Sequence, residues 1–441
     1  MNSIPSPSSD SVAAEMRRIH QLIAGGHLQE AATALNAAQR AAPNDARVAM
    51  LGVLLAQRAG NLNGAVAAAR RALTLAPRWA PAMIELGLAL ARRGDLAEAL
   101  QWAHNALALA PQNPEALDRA LGIAEQAGAA REVTAWASAG ARLRPGQVSY
   151  PLALARLGMA QKDFARAREH FQAAVAIDPE HLQALQGVLE CSLNLGDTQA
   201  AQEQAQALIA RFPQDARTGF LHALAHGQTP PTQPAPMVTA LFDSFAAGYD
   251  MHMVRGLKYQ APRQVAQMLL ALYPDRRFNL LDLGCGTGLL GVYLGPIDGV
   301  VIGVDLSQPM LAQAARHGVY ARLHHANLLD ALRETPADLY EVITCLDALI
   351  YVGDPAPVIA GALRVLKPGG HFIFTCESAA EDEADLVLRP VSLCYAHKAS
   401  VVERACRAAG FCEVRIEHLP ALRMEGGKPL PGFLVTARKP V

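Results

Sequence analysis

The order of small, apolar and polar positions divides the chain into two unlike halves. From about residue 12 to about residue 215 the pattern repeats every 34 residues, marked by prolines at 43, 77, 111, 145, 179 and 213. In register with them, Gly26, Gly60, Gly94, Gly128 and Gly196 hold one slot, with Lys162 the exception. Ala31, Ala65, Ala99, Ala167 and Ala201 hold another, with Val133 the exception. The best-formed unit runs from Ala80 to Pro111, where Met83, Leu86, Gly87, Leu90, Gly94, Ala99, Ala103 and Ala106 all fit. Glycine permits a tight or left-handed backbone between paired helices. Alanine suits a close helix crossing, and proline, with no N–H to donate, stops the second helix of each pair. The pattern predicts six stacked helix pairs, more than the roughly three that such an array needs for stability.

From His226 to Met237 a polar stretch with four prolines interrupts helical periodicity and favours extended backbone. Residues 12–225 therefore read as the helical array, 226–236 as a Pro-rich linker, and 237–441 as one α/β domain. In that domain an amphipathic helix is predicted over Ala261–Leu272, and strands over 279–284, 299–305, 320–324, 340–346, 370–376, 412–417 and 432–438. The first strand opens into Gly284-Cys285-Gly286-Thr287-Gly288 and the second ends in Asp305. A strand, a glycine turn and a helix, with an acid ending the next strand to accept ribose hydroxyls, form a nucleotide-binding arrangement. Gly286-Thr-Gly288-Leu-Leu-Gly291 also matches the dinucleotide fingerprint G-x-G-x-x-G. However, Asp282, just before the glycines, would face a pyrophosphate dianion, and suits instead the sulfonium and ammonium of S-adenosylmethionine.

Composition narrows the function. Hydrophobic residues make up 51% and charged residues 18%, the balance of a folded chain. Lys+Arg 39 against Asp+Glu 40 leaves no basic field for a nucleic-acid backbone. No [DN]-P-P-[YFW] run or Pro-Cys dipeptide points to base methylation. The polar start M-N-S-I-P-S-P-S-S-D shows no export signal, and no long apolar run predicts a membrane span. Seven cysteines, odd in number and without a C-x-x-C pair, argue against a disulfide framework or zinc ribbon and fit a reducing cytoplasm. His324-His325 lack metal-ligand spacing, so no metal site is expected.

The 34-residue period resembles the tetratricopeptide helix-turn-helix repeat, whose arrays form grooves for peptides or neighbouring domains. Asp-Leu-Gly-Cys-Gly-Thr-Gly at 282 to 288 closely resembles motif I of class I S-adenosylmethionine-dependent methyltransferases. Leu306-Ser-Gln-Pro-Met-Leu311 is similar to the helix start after the ribose-binding acid, and Leu366-Lys-Pro-Gly-Gly370 followed by His371-Phe-Ile-Phe-Thr375 to the family's turn into strand five. Over essentially the whole chain the closest resemblance is to bacterial methyltransferases that carry tetratricopeptide repeats. The marks of that subgroup are Phe242-Asp243-x-x-Ala246-x-x-Tyr249-Asp250, Tyr351-Val-Gly-Asp354, Tyr395-Ala-His397, and Leu422-Arg-x-Glu425-Gly-Gly-Lys-Pro-Leu-Pro-Gly432. A distant likeness extends to small-molecule carboxyl methyltransferases and to quinone or biotin-pathway methyltransferases. The implied fold is a tetratricopeptide-repeat solenoid followed by a Rossmann-like, doubly wound, seven-stranded α/β domain. Its strand order would be 3-2-1-4-5-7-6, with the last strand antiparallel.

The resemblance assigns S-adenosylmethionine to Asp282, Gly284, Gly286 and Gly288 at its methionine part and to Asp305 at its ribose, with Leu306 and Met310 near adenine. Asn327, beside Leu328, stands where many members have an acid that accepts from the adenine amino group, and its amide oxygen could serve. Asp347 ends strand four, where the family lines the transfer site, and Tyr249 would close over the cofactor. Cys285 fits the turn by its small size. His397 is the candidate base, with Tyr351, Glu377 and Tyr395 as polar groups near the mouth. For a carboxylate acceptor, Arg389 or Arg423 would act as a clamp. The expectation is methyl transfer to a small-molecule or carrier- or protein-linked acceptor, with oxygen slightly favoured and the repeats recruiting or gating substrate. The alternatives are a nonenzymatic repeat scaffold that keeps cofactor binding, and a nucleotide-dependent oxidoreductase.

Overall fold

The computed structural model describes residues 9–246 and 248–441; the polar start at residues 1–8, in which no export signal is read, lies outside them. Contacts divide the chain into two compact units between Val188 and Leu189, within the helix Leu182–Asn194. The first unit is helical throughout its described length, in antiparallel pairs such as Ala80–Arg93 with Leu96–Leu109 and Pro114–Gln126 with Ala130–Leu143.

The slot residues explain the pairing. Gly26, Gly60, Gly94 and Gly128 sit at φ +80°, +70°, +95° and +62°, and the exception Lys162 takes the same left-handed turn at +60°. Ala31, Ala65, Ala99 and Ala167 have no exposed surface. A Cβ on Gly87 would come within 2.9 Å of Ile123 Cδ1 and 3.2 Å of the Ala99 carbonyl, so the helices cross too closely for any side chain there. Asn113 caps its helix by accepting from the Glu115 and Ala116 amides. Of the three tryptophans, Trp136 is buried, and Trp79 and Trp102 pack against the same core.

The second unit begins with helices Thr198–Arg211 and Ala216–Ala225 and continues through helix Ala235–Phe245 and a π-helical turn, Met251–Gly256, to helix Ala261–Leu272. Then come strands β1 (Leu280–Leu283), β2 (Val301–Asp305), β3 (Arg322–His325), β4 (Tyr340–Cys345) and β5 (Leu366–Glu377). A short ribbon pairs β6 (Val387–Leu388) with β7 (Tyr395–Ala396), and β8 (Glu413–Glu425) and β9 (Lys428–Arg438) close the chain. The seven-stranded sheet runs β3-β2-β1-β4-β5-β9-β8, the order that the family resemblance implies. β1 to β5 are parallel, whereas β9 is antiparallel to both its neighbours.

The β8–β9 hairpin is longer than the two predicted strands. Gly426 and Gly427, at φ +55° and +78°, make a two-residue turn between Glu425 and Lys428, so the glycine pair of the tail motif is the hairpin tip. This extension carries Arg423 over the carboxyl edge of the sheet.

The Pro-rich stretch is part of the second unit rather than a free linker. Thr232 bridges to Val352, and the Pro231 carbonyl accepts from the Gly353 and Asp354 amides at 2.8 and 3.1 Å. The Gln233 amide donates to the Tyr351 carbonyl at 3.0 Å. Proline removes a donor but keeps its carbonyl, and these carbonyls face outward to waiting N–H groups.

Candidate active site

A cleft of about 820 Å³, counting the space open to solvent, lies at the carboxyl ends of β1, β2 and β4. This is where parallel α/β sheets place their ligands. Gly284 and Gly286 follow β1, Asp305 and Leu306 end β2, and Asp347 follows β4. Gly284 is at φ +68° with Ala348 Cβ 2.7 Å from where its own Cβ would stand. Gly286, at φ +54°, turns its N–H onto Asp305 Oδ2 at 2.8 Å, and Asp305 Oδ1 accepts from the Ser307 amide at 2.9 Å. Burial raises the Asp305 carboxyl above its ordinary value, opposed by these backbone donors. Each carboxylate oxygen retains a lone pair for a ligand hydroxyl.

The roof comes from the segment before the sheet. Phe242 makes edge-to-face contacts with Tyr249 and Tyr351, ring centroids 6.1 and 5.5 Å apart. Asp243 and Asp250 fasten this roof: Ser307 Oγ donates to Asp243 Oδ1 at 2.7 Å, and the Thr287 hydroxyl donates to Asp250 Oδ1. The motif that joins Phe242, Asp243, Tyr249 and Asp250 therefore alternates cleft-lining rings with staples to the two loops beneath.

Of the residues assigned to the cofactor by sequence, Tyr249, Gly284, Gly286, Asp305, Leu306, Asn327, Leu328 and Asp347 line the cleft; Asp282, Cys285, Gly288 and Met310 do not. Asp282, 2% exposed, sits behind the glycine turn and accepts from Tyr320 Oη and Thr344 Oγ1, both at 2.7 Å. Burial pushes its carboxyl up to about 6 despite those donors. Gly288 spares room for the Tyr320 ring, whose Cε2 would stand 2.9 Å from a Cβ there. Met310 is wholly buried, and Cys285 is a buried thiol raised by burial. The Asn327 amide oxygen caps its helix by accepting from the Leu329 amide at 2.8 Å.

Of the four polar candidates, only Tyr351 lines the cleft. His397, 3% exposed, has Nε2 2.9 Å from the Val352 carbonyl, which requires the N–H on that nitrogen, and Nδ1 is buried without a partner. Burial lowers its pKa. Tyr395 donates to the Pro230 carbonyl at 2.6 Å. The motif joining Tyr395 and His397 thus anchors the Pro-rich segment and the edge it pairs with. Glu377 binds Arg423 in a buried pair. Arg423 Nη1 also reaches Asp347 Oδ1 at 2.5 Å, so this guanidinium is matched by two carboxylates and is not a free clamp. Arg389 is paired with Glu383 and lies outside the cleft lining. Sequence reasoning missed Thr232, Gln233, Ala235 and Val238, which line the cleft from the Pro-rich side. It also missed Tyr320 and Thr344, whose hydroxyls belong to motif I as much as its glycines do.

The residues fit S-adenosylmethionine. Gly286, Asp305 and the apolar Leu306, Leu328 and Leu329 are arrayed for turn, ribose and adenine. Asp347, which lines the cleft, is pushed up to about 6 by burial, a cost that a cation would relieve.

Comparison with known proteins agrees. A family described as a methyltransferase domain matches residues 281–374, and two tetratricopeptide-repeat families match residues 50–114 and 158–221. A ubiquinone biosynthesis O-methyltransferase of Hahella chejuensis is 34% identical over 108 residues, 24% of this chain and 44% of that protein. Its counterpart in Marinobacter nauticus is 37% identical over 109 residues, 22% and 46%. The chain thus spans less than half the length of these curated relatives. Among solved structures, magnesium protoporphyrin IX methyltransferase from Synechocystis PCC 6803 is 18% identical with a TM-score of 0.36, covering 46% of this chain and 99% of that one. The pilF protein of Pseudomonas aeruginosa is 18% identical with a TM-score of 0.40, covering 49% and 98%. The chain thus carries a methyltransferase-domain match at residues 281–374 together with tetratricopeptide-repeat matches at 50–114 and 158–221.

Proposed function

We propose that this protein transfers a methyl group from S-adenosylmethionine to an oxygen of a small or carrier-linked acceptor. The observation that carries the reading is the Asp305 carboxylate tied to the Gly286 amide at the floor of the cleft, beneath the Phe242 and Tyr249 rings. When bound, S-adenosylmethionine supplies an electrophilic methyl on sulfur. The chain's task is to hold, orient and dry the site, for which positioning alone is worth effective molarities of about 10⁵ to 10⁸ M. Gly284 and Gly286 let backbone approach the ligand, Asp305 receives its hydroxyls, and Tyr249, Phe242 and Tyr351 exclude water from above.

Oxygen as the acceptor atom is supported by the O-methyltransferase relatives, which match the domain alone. The repeats are proposed to recruit or gate the acceptor or a protein partner, as arrays of this kind present long curved surfaces. A cytoplasmic setting is supported by the reduced thiols of Cys285, Cys345, Cys376, Cys394, Cys406 and Cys412. No described helix is long and apolar enough to cross a membrane.

One observation favours a scaffold that binds cofactor without turning it over: the Asn327 amide oxygen is committed to its helix cap. Incubating the full chain with methyl-labelled S-adenosylmethionine and a cell extract separates the readings. Label in an extractable small molecule or a carrier-bound product supports transfer; bound cofactor with no labelled product in any fraction supports the scaffold.

A further inference from the structure

Three charged groups meet at the end of the cleft beyond β4. Arg423, 8% exposed, comes from the β8 side of the hairpin, Glu377 ends β5 and is 3% exposed, and Asp347 follows β4. Arg423 spends one nitrogen on each acid. Asp347 is further fixed by its backbone: it adopts φ +55°, and its amide donates to Thr375 Oγ1 at 2.8 Å. A non-glycine residue held in the left-handed region costs energy and marks a side chain aimed by its surroundings. With Oδ1 occupied by Arg423, Oδ2 makes no hydrogen bond among the described residues, and Asp347 lines the cleft. Behind the cleft wall, Tyr259 packs with Tyr249 and Leu422, and its buried hydroxyl lies beside Thr375. The cluster is therefore a carboxylate with one oxygen clamped and one open to the cleft.

Its net charge is negative, two carboxylates against one guanidinium. An acceptor that arrives as a carboxylate would face that charge, and the described residues that line the cleft include no Lys or Arg to receive it. A neutral hydroxyl would find an open carboxylate oxygen to take its proton. Building on the transfer reading above, we propose that Asp347 is the base that takes the proton from an uncharged hydroxyl acceptor, with Arg423 and Glu377 as the residues that position it. In the balanced step the acceptor O–H proton passes to Asp347 Oδ2, and the oxygen lone pair forms the O–CH₃ bond. The CH₃–S bond breaks with its electron pair left on sulfur, so the co-product is the neutral thioether S-adenosylhomocysteine. His397 takes no part, since its lone-pair nitrogen, Nδ1, is buried and its side chain lies outside the cleft lining.

The groups that set the acidity of Asp347 are Arg423, Glu377, Tyr249, Tyr259 and Tyr351, with Cys394 behind Arg423. Burial raises its carboxyl to about 6, with Arg423 opposing and Glu377 adding to the rise. Removing the Glu377 charge therefore moves the midpoint down.

The test uses the full chain, catechol as a neutral hydroxyl probe and benzoate as a carboxylate probe. Affinity for S-adenosylhomocysteine is measured by calorimetry and turnover by release of S-adenosylhomocysteine. At saturating S-adenosylmethionine, Asp347→Asn is expected to lose catechol turnover by about 100-fold or more, the usual worth of a positioned base, with S-adenosylhomocysteine binding still measurable by calorimetry. Glu377→Gln is expected to shift the acidic limb of kcat/KM for catechol to lower pH, which a purely structural role would not do. Catechol is expected to bind the S-adenosylhomocysteine complex of the parent by calorimetry and to bind that of Asp347→Asn at least tenfold more weakly. Undiminished turnover in Asp347→Asn, preference for benzoate, or absence of both catechol binding and turnover would each overturn the proposal. Loss of S-adenosylhomocysteine binding by the parent chain would instead overturn the transfer reading on which it rests.

Discussion

Ser307 Oγ donates to Asp243 Oδ1 at 2.7 Å, and the same oxygen accepts from the Met310 amide at 3.3 Å. One hydroxyl thereby caps the helix after Asp305 and fastens the roof helix Ala235–Phe245 to it. Ser307 is fully buried while Asp243 is exposed, so only the serine end of the bond is shielded from water. A hydrogen bond to a charged acceptor is worth about 1.5 to 3 kcal/mol. Asp243→Ala is expected to weaken S-adenosylhomocysteine binding by roughly tenfold or more. Calorimetry checks this, and an unchanged Kd would show that the staple does not shape the cleft.

The Pro-rich segment gives a second prediction. A chain starting at residue 237 lacks the Pro230 and Pro231 carbonyls and Gln233, and so loses partners for Tyr395, Gly353, Asp354 and the Tyr351 and Leu393 carbonyls. A chain starting at Thr198 keeps them. The shorter fragment is expected to unfold at lower temperature and to bind S-adenosylhomocysteine more weakly. Equal Tm values for the two fragments would return this segment to the status of a linker.

His397 supplies a prediction about pH. Its folded pKa lies below the ordinary value because burial disfavours the imidazolium. The unfolded chain therefore binds a proton that the folded chain refuses, and stability falls as pH drops through about 6.5. Asp282 has the opposite sign: its folded carboxyl near 6 holds a proton more tightly than the unfolded one, so its contribution is lost as pH rises through that value. His397→Gln is expected to flatten the decline in Tm below pH 6.5 and to leave the pH profile of kcat/KM unchanged. An activity limb near neutral pH that vanished in His397→Gln would restore it as the base.

Lys162 offers a stability test in the repeats. It holds φ +60° in the slot where its counterparts are glycine, and a left-handed residue with a Cβ pays roughly 1 to 2 kcal/mol. Glycine gives part of this back by freeing the unfolded chain. Lys162→Gly is expected to raise stability by about 0.5 to 1 kcal/mol in denaturant unfolding. A loss of stability would mean that the Lys162 side chain contributes packing beyond its backbone.

The repeats and the sheet were legible in the sequence for a common reason: both are set by rules acting over short distances. Each turn between paired helices demands the same backbone, which Lys162 obeys as the glycines do. That Gly284, Gly286 and Asp305 meet at one cleft was readable because a strand opening into a glycine turn, with an acid ending the next strand, leaves few other arrangements. What escaped was decided by partners far along the chain. Pro230 looks like spacer until Tyr395, 165 residues later, donates to its carbonyl. His397 looks like a base until the Val352 carbonyl fixes its tautomer and leaves the basic nitrogen, Nδ1, buried outside the cleft lining. Arg423 looks like an anion clamp until Asp347 and Glu377 use its charge. Composition records the donors and acceptors but not which of them meet.

The central claim, that the cleft above Asp305 holds S-adenosylmethionine, is tested most directly by thermal unfolding of the full chain. S-adenosylmethionine, S-adenosylhomocysteine and NADH are compared side by side, with Asp305→Ala as control. Ligand at 100 times its Kd stabilises a folded state by about 2.7 kcal/mol. The account predicts a rise in Tm with the two sulfur ligands, none with NADH, and loss of that rise in Asp305→Ala. A rise with NADH alone, or the same rise with and without the Asp305 carboxylate, would contradict it.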